Sequence, residues 1–162
     1  MCKRSYLPVA AIYGPNGGGK SSVLQALECL QRIVTLPYLV VRSRRAHAYG
    51  VDCRPYAFEE ATRSEATTFC VIFEAGEYTY RYIISERAGE VIEEYLHRHK
   101  AGRGSEATLY ERSDSEVTLG SSLRRKGVNT DVSLMMPFLS VLAINYDLEP
   151  IDEAFGWFVS CQ

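Results

Sequence analysis

Hydrophobic positions change their period twice along the chain. Residues 7–13, LPVAAIY, form a continuous apolar run of strand length. A run without a polar face fits a strand buried on both sides, as in a parallel sheet. A glycine-rich loop follows. From 20 to about 34, Val23, Leu24, Leu27, Leu30 and Ile33 recur at helical spacing, which predicts an amphipathic helix. Pro37 is expected to close it, because its ring removes a donor and crowds the preceding turn. Residues 35–65 show no period and are expected to form a long loop, a length that usually marks function or mobility.

The period then falls to two. Phe69, Val71 and Phe73 alternate with Cys70 and Ile72, and Tyr78, Tyr80 and Tyr82 alternate with Thr79, Arg81 and Ile83. Ala75-Gly76-Glu77 and Ala88-Gly89-Glu90 read as turns. Residues 91–99 read as a third strand, 100–105 as a loop, and 109–112 and 117–119 as further short strands. Residues 66–120 are therefore expected to form an antiparallel meander of four or five strands. Residues 130–162 look helical, over 134–146 with Pro137 in the first turn, and again over 153–159. The fold class expected is mixed α/β, or α+β, within one domain or part of one.

Composition narrows this only slightly. The chain has 162 residues, 46% hydrophobic and 23% charged. It is long enough to bury a core without staples and too apolar for wholesale disorder. No uninterrupted apolar run reaches the roughly 18–20 residues of a membrane span, and no signal peptide is evident. The five cysteines at 2, 29, 53, 70 and 161 make no C-x-x-C pair. Neither a zinc site nor a disulfide framework is expected, Cys29 and Cys70 read as small core residues, and a reducing cytoplasm is the default location.

Charge is more informative in its distribution than in its total. Residues 1–50 carry seven Lys or Arg against one acid, residues 51–130 eleven against fourteen, and residues 131–162 none against five. A basic first third suits an anionic ligand such as a phosphate chain.

Gly14-Pro15-Asn16-Gly17-Gly18-Gly19-Lys20-Ser21 matches G-x-x-x-x-G-K-[ST], the phosphate-binding P-loop. Glycines let the backbone take conformations that β-carbons block. Successive N–H groups can then wrap a phosphate above the positive end of the following helix. Lys20 supplies a mobile cation for the β- and γ-phosphates, and the Ser21 hydroxyl is placed to ligate Mg²⁺. Asn16 and Ser22 are expected to contribute to loop shape and phosphate contact. The apolar strand entering and the helix leaving supply the context that the motif requires.

Other features carry less. His97 and His99 share one face of a strand, but without a third ligand they read as surface residues. Tyr78, Tyr80 and Tyr82 could stack bases, though aromatics at period two are more often the packed face of a sheet. Arg42/Arg44/Arg45 and Arg124/Arg125/Lys126 could contact nucleic acid, with solvated loop charge the somewhat commoner explanation. Glu93-Glu94 reads as an exposed pair on a strand.

With these motifs placed, the chain resembles a known family. YGPNGGGKSSVLQAL, PYAF at 55–58, FCVIFEAGEYTYRYII at 69–84, VIEEYL at 91–96 and LYER at 109–112 occur in an order similar to that of ABC-type ATPases of the RecF, SMC and OLD group. The branch it resembles most is the prokaryotic AAA-family ATPases of abortive-infection or phage-defence proteins. MPFLSVLAINYD and FGWF extend the resemblance to about residue 160. It implies a P-loop NTPase lobe that binds ATP and Mg²⁺ through residues 14–22, with Lys20 catalytic. It also implies a homodimer or higher oligomer closed around the nucleotide, an effector protein and nucleic acid as further partners, and no membrane.

The chain departs from that family in several parts. The usual first strand, a Walker B strand ending in Asp-Glu, the signature turn and the switch histidine are not found. Asp52, Asp131 and Asp152 do not follow suitable strands, Gly120-Ser121-Ser122 is too faint an echo of the signature, and Gln25 and Gln31 lie inside the first helix. The expectation is an N-terminal half of an ATPase domain, with negligible hydrolysis alone and an apolar face prone to self-association. The alternatives are a small P-loop kinase for a metabolite, or a nucleic-acid or partner-binding module with a vestigial P-loop.

Overall fold

The computed structural model describes residues 11–43, 65–100 and 103–161. The order is α1 (Lys20–Ser43), β1 (Thr67–Ala75), β2 (Tyr78–Arg87), β3 (Glu90–Lys100), β4 (Arg103–Ser113), β5 (Glu116–Leu119), α2 (Ser121–Arg124), α3 (Phe138–Asn145) and α4 (Glu149–Ser160). The five strands form one antiparallel sheet in sequence order. The expected mixed α/β class and meander are both present.

The hairpins follow from their turn residues. At the β2–β3 turn both Ala88 and Gly89 have positive φ, 54° and 86°. Two such residues in a row twist the chain as the strands twist, which is why two-residue hairpins use them. The expected loop at 100–105 is shorter than its composition implied. β3 runs to Lys100 and β4 starts at Arg103, so β4 takes in Gly104.

One face of the sheet is the core. Phe73, Tyr80, Tyr82, Ile84, Leu96 and Tyr110 are buried, and so are Phe138, Leu139, Leu142, Ile151, Phe155 and Phe158 of α3 and α4. The layers interlock through rings. Phe73 stacks on Trp157 with centroids 4.3 Å apart, and Phe138 meets Tyr110 edge-on at 5.0 Å. A bulge in the β3–β4 pairing after Leu96↔Tyr110 leaves Leu109 outside the register. Leu109 and Tyr110 are both buried as a result, and the Leu109 carbonyl accepts the Gly120 N–H at 2.8 Å.

Three elements differ from expectation. α1 does not stop before Pro37 but continues through it to Ser43. Tertiary packing outweighs the proline here: Leu30, Ile33 and Val34 are buried, and Tyr38 meets Phe155 at 4.9 Å. The predicted loop over 35–65 therefore begins in helix, and residues 44–64 lie outside the described residues. α3 begins at Phe138 rather than 134, because Met136 precedes a proline and is biased away from helix. α4 begins at Glu149, four residues earlier than expected, with Pro150 in its first turn, where a missing N–H costs nothing.

The expected strand over 7–13 lies mostly outside the described residues, and residues 11–13 belong to no helix or strand. The two cysteines expected in the core part company. Cys70 is exposed and free, on the outward face of β1. Cys29 is half-buried and packed against the core, but disulfide-bonded.

Candidate functional site

The glycine loop is a compact turn leading into α1. Gly18 N–H donates to the Pro15 carbonyl at 3.2 Å, and Val23 N–H to Gly19 at 3.2 Å, the first helical bond. Gly17 and Gly19 have φ of +82° and +79°, a region that L side chains avoid at a cost of roughly 1–2 kcal/mol. An added β-carbon at either would touch nothing within 4 Å. Conformation, not space, is therefore what requires glycine there. The Lys20 ammonium donates to the Gly14 and Pro15 carbonyls at 2.7 and 2.6 Å.

Gly14, Pro15, Asn16, Gly17, Gly18, Gly19, Ser21 and Ser22 are all exposed, and Lys20 is half-exposed. The structure thus brings every sequence-predicted site residue together at one open end of α1. The exposure continues all round the first two turns of the helix, through Glu28. Val23, Leu24 and Leu27 lie in that exposed stretch.

The weaker candidates are not drawn into this end. Tyr80 and Tyr82 are buried core residues, not a stacking platform. The Tyr80 hydroxyl donates to Glu153 at 2.6 Å, and burial with that carboxylate pushes its phenol well above the ordinary value. Tyr78 carries the Arg98 guanidinium 4.3 Å above its ring. His97 is half-buried, with Nδ1 3.2 Å from the Thr108 hydroxyl. Among the described residues no group of three His, Cys, Asp or Glu is gathered for a metal. Arg124 and Arg125 are exposed, and each ties back to a backbone carbonyl, of Leu119 and Ser121. Arg44, Arg45 and the side chain of Arg42 lie outside the described residues, as does Asp52.

One residue overturns its expectation. Glu94 is fully buried, not an exposed partner of Glu93. Its Oε1 accepts the hydroxyls of Tyr82 at 3.0 Å and Tyr110 at 2.7 Å, and the Leu139 N–H at 3.0 Å. Its Oε2 accepts the Phe138 N–H at 2.5 Å and lies 3.7 Å from Arg112 Nη1. Burial first, then the adjacent carboxylate, pushes both phenols well above their ordinary value. The signal was present in the sequence. Glu94 is two residues from Leu96, and Arg112 two from Tyr110, so strict alternation puts both on the core face.

A family model described as "AAA domain, putative AbiEii toxin, Type IV TA system" matches residues 9–123. That span is more than half the chain, and it takes in the glycine loop, α1 and the whole sheet. The chain belongs to this AAA-domain family. The family is one of nucleotide-binding, ATPase-like proteins, in keeping with the glycine loop. Comparison with curated proteins and with solved structures finds no match.

One helix of the AAA-domain chain passes a looser test than the uninterrupted apolar run sought in the sequence. Among the described residues one helix, Lys20–Val41, is long and apolar enough by length and composition to cross a membrane. The expectation of no such segment counted only uninterrupted apolar runs, and Glu28 and Arg32 interrupt this one. Its second half packs on α3 and α4, so there the apolarity serves the core.

Proposed function

We propose that this chain is the ATP-binding lobe of an ABC/RecF-like ATPase of the defence kind, binding Mg·ATP through residues 14–22. The observation that carries the reading is the pair of positive-φ glycines, Gly17 and Gly19, set immediately before the first turn of a long helix. Glycines of that conformation let successive N–H groups turn toward a phosphate, and a helix start adds its positive end to such a site. The solvent exposure of the loop and the Lys20 ammonium held against it support a phosphate chain as ligand.

The roles follow from chemistry. Loop amides hold the phosphates, and the Lys20 ammonium exchanges its two carbonyl acceptors for phosphate oxygens. Bound Mg²⁺ would neutralise phosphate charge, with Ser21 as its protein ligand. Asn16 in the loop and Ser22 in the first turn of α1 add to phosphate contact. The exposed apolar stretch at the start of α1 supports a second reading of the same end, as a surface closed by another protomer around the nucleotide. The family description, naming a putative toxin of a toxin–antitoxin system, supports a defence role.

The kinase alternative fits less well, since the strands that follow α1 among the described residues form an antiparallel meander. The test is thermal stability with and without Mg·ATP, on wild type and Lys20→Ala. A ligand that binds only the folded state adds roughly 2.7 kcal/mol at a hundredfold excess over its Kd. A rise in Tm in wild type that is lost in Lys20→Ala is expected. No rise in wild type would overturn the reading.

A further inference from the structure

α3 has no cap of its own. Its N-cap is Pro137, whose side chain can accept no hydrogen bond. The cap comes from the sheet, 44 and 45 residues away, where Glu94 accepts the N–H groups of Phe138 and Leu139. A carboxylate there satisfies orphan donors and meets the positive end of the helix. Tyr82, Tyr110 and Arg112 hold the same carboxylate from the other side. Arg112 also reaches past it to the segment leading into α3, donating to the carbonyls of Ser133 at 3.0 Å and Met136 at 2.7 Å. The start of α3 is thus fixed to the sheet by directional bonds, not only by apolar contact.

The next link runs from α3 to α1. Ser140, three residues into α3, donates its hydroxyl to the Val34 carbonyl at 2.6 Å. Both residues are completely buried. α4 adds a second hold, since Gln31 Nε2 donates to the Phe158 carbonyl at 2.9 Å and also to that of Cys161. Val34 and Lys20 belong to one helix, whose 1.5 Å rise per residue separates them by about 21 Å. Apolar packing alone tolerates sliding, whereas a hydrogen bond fixes distance and direction.

We propose that Glu94 is a positioning residue: acting through α3 and Ser140, it fixes the direction in which α1 carries the glycine loop away from the sheet. Its functional consequence rests on the nucleotide reading above. The coupling itself does not, and it is read without nucleotide.

The test is amide hydrogen exchange on wild type, Glu94→Gln, Tyr110→Phe and Ser140→Ala, with Mg·ATP affinity by equilibrium dialysis. In Glu94→Gln, the amides of Phe138, Leu139 and residues 30–34 are expected to exchange on the order of tenfold faster, while those of β1 and β2 keep their rates. In Ser140→Ala, residues 30–34 quicken while Phe138 and Leu139 do not. ATP affinity falls several-fold in both. If Glu94→Gln fails to fold, Tyr110→Phe, which removes one donor only, is read in the same way. Faster exchange at Phe138 and Leu139 with residues 30–34 unchanged would overturn the proposal, and so would uniform loosening of the whole chain. If wild type binds no ATP, the nucleotide reading fails while the exchange comparison still decides the positioning.

Discussion

Glu94 and Arg112 face each other across β3 and β4, and neither side chain is exposed to solvent. Their charged atoms are 3.7 Å apart, a longer separation than a direct charged hydrogen bond. Each is instead satisfied mainly by other groups. Arg112 donates to three backbone carbonyls, those of Asp114, Ser133 and Met136. Glu94 accepts from two phenols and two amides. Burial of the pair is tolerable because so little of either group is left unpaired.

That arrangement predicts an asymmetric response to mutation. Arg112→Met leaves the buried Glu94 charge without a counter-ion and three carbonyls without their donor, and is expected to cost about 3–5 kcal/mol. The double change Glu94→Leu with Arg112→Met removes both charges and should recover part of the loss. Urea unfolding of the two variants checks this, and a double variant less stable than the single one would refute it.

Alkaline pH should destabilise the protein through Tyr82 and Tyr110. Both phenols titrate above their ordinary value in the folded chain. The unfolded chain then releases these protons first, near pH 10. The stability they contribute is fully present below about pH 10 and is lost as pH rises toward their folded values, by at most about 1.4 kcal/mol per unit for each group. Unfolding free energy measured between pH 8 and 11 should fall, and Tyr82→Phe or Tyr110→Phe should flatten the decline.

Gly17→Ala and Gly19→Ala should separate loop shape from stability. Each puts a β-carbon on a residue with positive φ in open space. The strain, roughly 1–2 kcal/mol, can be relieved by the exposed loop changing shape. Little change in Tm without nucleotide is expected, together with loss of any rise with Mg·ATP. A retained rise would mean that the loop conformation is not what binds.

Gly120→Ala should behave in the opposite way. A β-carbon there would overlap the Thr108 carbonyl oxygen. The obstacle is backbone beside the β4 bulge, so the Gly120–Leu109 bond must give way. A loss of about 1–3 kcal/mol is expected. Urea unfolding checks this, and a Gly120→Ala variant as stable as wild type would contradict it.

Self-association is expected at the open end of α1. Val23, Leu24 and Leu27 are 57%, 64% and 42% exposed on adjoining turns. Neighbouring exposed apolar side chains of this kind favour contact between molecules. Leu24→Glu with Leu27→Lys should lower the apparent mass in light scattering, and an unchanged clean monomer in wild type would remove the premise.

Local rules made much of this protein legible in its sequence. The turn from Gly14 into α1 was legible because Gly17 and Gly19 can take the positive φ that other residues avoid. The strands from Phe69 to Leu119 were legible because period two survives wherever one face of a sheet is buried. What the sequence could not decide depended on partners distant along the chain. Pro37 could not stop α1 once Tyr38 had Phe155 to pack against. Alternation sets Glu94 on the core face with Leu96, but that a carboxylate is tolerated there depends on Tyr82, Tyr110, Arg112 and the start of α3 converging on it. Propensity and periodicity are properties of neighbours in sequence, whereas the worth of a buried charge or a helical proline is set by what folding brings against it.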